Sequence, residues 1–164
     1  MSIHNDNPDK LAKELGALLS RHSLKLATAE SCTGGWISML VTSVAGSSDW
    51  FDRGFVTYSN AAKQDMLGVQ AETIEIHGAV SEQIARKMAL GAIENSQADV
   101  AVSVTGIAGP GGGSESKPVG TVCFGWAVND DCATATRHFK GDRTDIREQS
   151  AEYALQGLLE RLHD

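Results

Sequence analysis

Apolar residues recur along the chain at two alternating periods, and each switch of period marks a boundary between helix and strand. Leu11, Leu15, Leu18 and Leu19 share one face of a helix that runs to about His22, opened by Asn7 as cap, Pro8 in the first turn and the acid Asp9. The short apolar run 24–27 predicts a strand, and Trp36, Ile37, Leu40, Val41 and Val44 then repeat at helical spacing. Between them lies TAESCTGG, residues 28–35, read as a turn, which completes a strand-turn-helix unit. A polar break follows at 46–49. A strand is predicted within 51–59, with Phe55 and Thr57 on one side and Val56 and Tyr58 on the other.

The rest of the chain continues the alternation. Asn60 is placed to cap a short helix, 61–67, which Gly68 ends, and a second short helix spans about 71–76. Ser81 and Glu82 open a longer helix whose apolar face carries Ile84, Met88, Ala92 and Ile93. Residues 99–104 read as a buried strand running into the glycine-rich loop TGIAGPGGG, 105–113. A hairpin of 119–128 with 132–139 around the loop 129–131 would set Cys132 opposite Val128 and Cys123 opposite Arg137, so no disulfide is expected between them. Gly141 and Asp142 precede a last amphipathic helix bearing Ile146, Ala151, Ala154, Leu155, Leu158, Leu159 and Leu162. Strands alternating with helices predict one three-layer α/β domain over 1–164, with 1–8 as a flexible start.

Composition narrows the function classes. A chain of 164 residues buries roughly 70% of its unfolded surface and needs no staples. The longest apolar runs are too short to span a bilayer, and the polar, acidic start carries no secretory signal. A formal net charge of −7 argues against a nucleic-acid binder. Three cysteines, odd in number and without metal spacing, fit a reducing cytoplasmic setting. No pair among the five histidines has metal-ligand spacing, so metal hydrolysis is disfavoured. Trp36 and Trp50 would suit a subunit contact, which is compatible with a homodimer.

Two stretches carry candidate chemistry. A turn leading from a strand into a helix presents unpaired N–H groups. Ser31, Cys32 and Thr33 supply hydroxyl or thiol groups there, and Gly34 and Gly35 allow a ligand to approach the backbone closely. This reads either as a nucleophile beside an oxyanion site or as a Ser/Thr cap with packing glycines. The loop after 99–104 is neither a P-loop nor a dinucleotide fingerprint; it is a ligand cradle using Thr105, Gly106, Gly109 and Gly111, or a flexible surface loop. Lys63, in the first turn of its helix, is a solvated charge by default, but the helix dipole and partial burial both favour its neutral form, which can serve as base for a serine. Arg143, at the last helix start, can grip a phosphate or carboxylate, or pair with Asp142 or Asp145. Tyr58 is a candidate to bond the nucleophile or line a ring pocket. Arg53 and Asn60 are second-tier candidates, and His77 beside Gly78 is the one histidine in a site-like turn.

The motifs TAESCTGG, FDRGFVTYSN at 51–60, AK at 62–63, HGAVS at 77–81, VTGIAGPGGG at 104–113, KPVGTV at 117–122 and GDR at 141–143 resemble the CinA C-terminal-domain family, the nicotinamide-nucleotide amidohydrolases, from about Asp9 to Leu162. The resemblance implies a three-layer α/β/α fold with a mixed sheet of about five strands, one of them antiparallel. It also implies hydrolysis of the carboxamide of nicotinamide mononucleotide to nicotinate mononucleotide and ammonia, in pyridine-nucleotide recycling. A Ser-Lys pair at Ser31 and Lys63 is implied, with no metal or organic cofactor required. Many relatives carry a larger N-terminal domain that this sequence does not show, and activity belonging to that domain does not transfer. Under this reading the N–H groups of residues 32–35 hold the oxyanion, at roughly 3 to 4 kcal/mol per donor. Thr105, Gly106, the glycine loop and Arg143 take the nucleotide, while Glu30 or Tyr58 faces the pyridinium ring. Two other readings stand beside it: a non-catalytic nucleotide-binding module, and a hydrolase with Cys32 as nucleophile.

Overall fold

The structure is a computed structural model that describes residues 7–162. Of the expected flexible start, residues 1–6 lie outside the described residues, as do His4 and His163; Asn7 and Pro8 are the cap and first residue of a helix. The elements follow in the order α1 Pro8–Arg21, β1 Leu26–Glu30, α2 Trp36–Thr42, a single 3-10 turn Ser47–Asp49, β2 Phe51–Val56, α3 Asn60–Leu67, α4 Ala71–His77, α5 Glu82–Glu94, β3 Val100–Gly106, β4 Thr121–Val128, β5 Asp131–His138 and α6 Arg143–Leu162. One five-stranded sheet has the order β2-β1-β3-β4-β5. β1, β2 and β3 are mutually parallel, and β4 alone runs against its neighbours.

The side-chain alternation of β3 divides the core between two faces. Val100, Val102 and Val104 pack with Leu15 and Leu19 of α1 and Leu155 and Leu158 of α6. Ala101 points the other way and joins Ala27, Ala29, Ile84 and Met88 beneath α5. α1, α2 and α6 therefore cover one face, and α5 covers the other with α3 and α4 against its flank. The α/β three-layer architecture with a mixed five-stranded sheet is the expected one. Among the described residues no helix is long and apolar enough to cross a membrane.

Several boundaries differ from the periodicity, each for a local reason. β1 continues through Thr28, Ala29 and Glu30, all fully buried and paired to both β2 and β3. Their polar groups find partners on α2, so the strand accommodates residues that read as a turn. Ser59, not Asn60, caps α3, its hydroxyl accepting from the Ala62 N–H at 3.0 Å. The hairpin loop has two residues instead of three, because Asn129 adopts a left-handed φ of 59° suited to a tight turn. Asp131 thereby pairs with Val128, and the register moves by one: Cys132 faces Ala127 and Cys123 faces Thr136. All three cysteines are free. Trp50 is buried against Gly16, which removes it from any subunit contact, and Trp36 is half-buried.

Trp126 is the largest fully buried side chain; it stacks on Phe124 and donates from Nε1 to the Ala154 carbonyl at 2.9 Å. Gly157 on α6 lets the helix lie directly on this indole, since a Cβ there would overlap the ring. Alanine normally gains about 1 kcal/mol over glycine inside a helix, but overpacking a filled core costs about 1 to 3 kcal/mol. Gly157→Ala is therefore expected to destabilise, read as a lower urea midpoint at unchanged slope; a raised midpoint would show that the indole yields.

Candidate active site

The parallel strands β1, β2 and β3 end on one side of the sheet, the usual place for ligands in open α/β folds. Ser31 is the first residue past β1, and its N–H donates to the Val104 carbonyl at 3.0 Å. The turn around it is anchored by Glu30. That fully buried carboxylate accepts from Ile37 N–H at 2.9 Å, Ser38 N–H at 2.9 Å, Ser38 Oγ at 2.8 Å and Thr33 Oγ1 at 2.6 Å. Glu30 thus caps α2 from the preceding strand, where the sequence suggested a Ser/Thr cap or a partner for a pyridinium ring. Gly35, at the cap position, has a φ of 108° and no side chain to offer.

These contacts redistribute the predicted backbone donors. Gly34 N–H closes the turn onto the Ser31 carbonyl at 3.0 Å and is spent there. The N–H groups of Cys32 and Thr33 find no acceptor on another residue among the described ones. Thr33 is buried with its hydroxyl on Glu30, and Gly34 and Gly35 serve the left-handed turn.

Lys63 comes from α3, with its N–H on the Ser59 carbonyl. It is only 1% exposed, and Nζ donates to Ser31 Oγ at 3.0 Å, to the Thr57 carbonyl at 3.0 Å and to the Tyr58 carbonyl at 3.4 Å. It makes no ion pair among the described residues. Burial pushes its ammonium below the ordinary lysine value, with slight opposition from nearby Cys32. The cause is the depth of the site. Ser31 Oγ itself donates to the Tyr58 carbonyl at 3.4 Å.

A cavity of about 250 Å³ opens over this pair. Ser31, Cys32, Tyr58, Lys63, Thr105, Gly106 and Arg143 all line it, and so do Asn60 and Ala108. Thr105 Oγ1 donates to the Ala79 carbonyl at 2.9 Å, tying β3 to the segment before α5. Tyr58 is 63% exposed, and its hydroxyl accepts from Arg143 Nη2 at 3.0 Å. What meets Ser31 is the Tyr58 carbonyl, because the loop after β2 turns the ring outward. Arg143 Nη1 donates to the Gly109 carbonyl at 2.8 Å, so Gly109 holds the arginine from outside the cavity.

Other candidates lie elsewhere. Gly111 faces open space, and Thr33, Gly34 and Gly35 are absent from the lining. Arg53 pairs with Asp52 on the surface at 2.7 Å. His77 borders a different cavity, its carbonyl accepting from Lys117 Nζ at 3.0 Å. Burial pushes the Cys32 thiol up to about 12, which removes the thiolate that a cysteine nucleophile needs. Arg147 escaped the sequence reading: Nε donates to the Cys32 carbonyl at 3.0 Å and Nη2 to the Thr33 carbonyl at 3.2 Å. Its one available signal was the four-residue spacing from Arg143, which puts both on one helix face.

Residues 8–162 match the family model of the CinA C-terminal domain. The chain belongs to the CinA C-terminal domain family. Among CinA-domain relatives, the nicotinamide-nucleotide amidohydrolase PncC of Enterobacter agglomerans is 56% identical over 151 residues, covering 92% of each chain. The protein of that name from Escherichia coli K12 is 52% identical over 150 residues, covering 91% of each. The crystal structure of the competence/damage inducible protein CihA from Agrobacterium tumefaciens superposes with a TM-score of 0.93 at 45% identity over the full length of both chains.

Two outcomes test this geometry. Glu30→Ala leaves several buried donors unpaired and is expected to cost at least about 3 kcal/mol in urea unfolding. Cys32 is expected to resist iodoacetamide at pH 8 in the folded protein, because a thiol pushed to about 12 is thiolate in roughly one molecule in ten thousand. Rapid alkylation of native Cys32 would overturn that assignment.

Proposed function

We propose that the protein hydrolyses the carboxamide of nicotinamide mononucleotide to nicotinate mononucleotide and ammonia, with Ser31 as nucleophile and Lys63 as general base. The observation that carries this reading is the buried contact of 3.0 Å between Lys63 Nζ and Ser31 Oγ, made by a lysine with no carboxylate partner among the described residues. An ion-paired lysine would hold its proton; a desolvated one sheds it and can accept another. The amidohydrolase relatives, similar over nine-tenths of their length, support the choice of substrate.

In its neutral form Lys63 takes the Ser31 hydroxyl proton as Oγ bonds to the amide carbon. The carbonyl π pair moves to oxygen, and the N–H group of Cys32, which lines the cavity and has no acceptor on another described residue, holds the resulting oxyanion. Lys63 returns its proton to the amide nitrogen as the C–N bond breaks, and ammonia leaves the acyl-serine. Water then attacks the ester carbon with Lys63 again as base, and Ser31 regains its proton as the acid departs. Thr105, Gly106 and Arg143 border the remaining space and are assigned to the ribose and phosphate. Arg143 has guanidinium N–H groups beyond the two that meet Gly109 and Tyr58, which leaves it able to bind an anion. The scheme draws on no metal or organic cofactor. A place in pyridine-nucleotide recycling in the cytoplasm fits this substrate and the three free cysteines.

Ammonia release from the mononucleotide, without added metal, tests the proposal. Ser31→Ala is expected to fall to background, and Lys63→Ala to lose about 10² to 10⁴ in kcat, with binding retained in both. Binding without turnover by the intact protein would make this a nucleotide-binding module, and an active Ser31→Ala would remove the mechanism. The pH profile carries a sign. Because burial lowers the Lys63 value, kcat/KM rises as pH increases through that lowered value and levels off below the ordinary 10.5.

A further inference from the structure

We propose that Arg143 determines specificity at this site, held as a bar between two cavities so that a substrate ending in a terminal phosphate is selected over one in which that phosphate is esterified onward. The inference rests on the Ser31–Lys63 reading and on the assignment of Arg143 to the phosphate. Beside the cavity of about 250 Å³ over Ser31 lies a second of about 530 Å³, whose walls include Pro110, Val119 and Asp142. Arg143 and Ala108 line both, and no other described residue does. Ala108 is buried and offers only a methyl group, so the guanidinium is the polar group at the boundary. Two hydrogen bonds hold it there from either side. Nη2 donates to the Tyr58 hydroxyl at 3.0 Å, on the wall of the first cavity, and Nη1 donates to the Gly109 carbonyl at 2.8 Å, between Ala108 and Pro110. Gly109, with a φ of 81°, packs directly on Val119, where any Cβ would overlap, and this fixes the loop that carries its carbonyl.

Charge sorts the two sides of the bar. Arg143 makes no ion pair among the described residues, so its charge is uncompensated, and the N–H groups beyond the two already bonded remain for a ligand. A terminal phosphate carries about two negative charges and three acceptor oxygens, which a guanidinium meets in two-point fashion. Esterification removes one of those charges and one of those oxygens, and the rest of the molecule must then pass Arg143 into the second cavity. There Asp142 presents a carboxylate. The Asp145 N–H, bonded to it at 2.9 Å, holds it below the ordinary aspartate value, so it stays ionised and repels a second phosphate. The first cavity therefore rewards a phosphate that ends at the bar, and the second opposes one that continues past it.

The test measures ammonia release from amides that differ only beyond the ribose: nicotinamide riboside, nicotinamide mononucleotide and nicotinamide adenine dinucleotide, each with the intact protein, Arg143→Ala and Tyr58→Phe. The intact protein is expected to show its highest kcat/KM with the mononucleotide. Arg143→Ala is expected to lose about 10- to 100-fold in kcat/KM for the mononucleotide, mainly through KM, and much less for the riboside, which has no phosphate to lose. Tyr58→Phe keeps the backbone carbonyl that meets Ser31 and the whole guanidinium charge, and frees one end of the bar. The ratio of kcat/KM for mononucleotide over dinucleotide is expected to narrow by about threefold to tenfold in this variant, a change that an arginine acting by charge alone would not give. If the dinucleotide is not turned over, its Ki against the mononucleotide is read in place of its kcat/KM. A dinucleotide handled as well as the mononucleotide by the intact protein, equal losses for riboside and mononucleotide in Arg143→Ala, or an unchanged ratio in Tyr58→Phe overturns the inference. Tyr58 is exposed, so its variant decides alone if Arg143→Ala does not fold. An intact protein that releases ammonia from none of the amides overturns the Ser-Lys reading itself, which is distinct from an active enzyme indifferent to the phosphate.

Discussion

The carboxylate of Glu30 is buried at the end of a central strand, and the nucleophile turn is built on the four hydrogen bonds it accepts. Bonds to such a group are worth about 1.5 to 3 kcal/mol each, against several kcal/mol for desolvating the group. The balance is favourable only while every donor is in place. Two of those donors are N–H groups in the first turn of α2, those of Ile37 and Ser38, so the strand end, the helix start and the turn between them form as a unit. Ser31 then has one available position, one residue beyond the anchor.

Lys63 presents the opposite use of burial. Its three acceptors are a hydroxyl and two carbonyls, all neutral. A carboxylate in their place would lock the ammonium form and abolish a base. The protein instead satisfies the amine's hydrogen bonds without compensating its charge, which keeps the group soluble in the interior while lowering its hold on the proton. The carbonyls come from residues 57 and 58, where the chain leaves β2, so the edge strand that pairs with β1 also delivers the groups that steer the base toward the nucleophile.

α6 closes the site from far along the chain. Its first turn sends Arg143 to Tyr58 and Gly109 at the rim, and one turn later Arg147 reaches the carbonyls beneath Ser31. Farther along, the absence of a side chain at Gly157 lets α6 settle on Trp126. The packing that stabilises the helix in the core thereby sets the height of its cationic end over the cavity.

The helices and strands, their order and the three-layer class were legible because the apolar residues keep the periods of 3.6 and 2 that burial on one face demands. Ser31, Lys63, Thr105 and Arg143 were legible as chemistry placed at element ends. What the sequence could not show is which polar atoms meet, since a hydrogen bond across more than a hundred residues leaves no local trace. Thr28 and Glu30 looked like loop because their partners sit on α2 and not beside them. Tyr58 looked like a side-chain ligand, although its carbonyl is the group that faces Ser31. Arg147 looked like one more charge on an amphipathic helix. Local pattern determined which helices and strands form and in what order; tertiary packing decided where some of them end, which amine lost its water and which carbonyls were turned toward it, because desolvation and hydrogen-bond direction depend on neighbours brought together only by the completed fold.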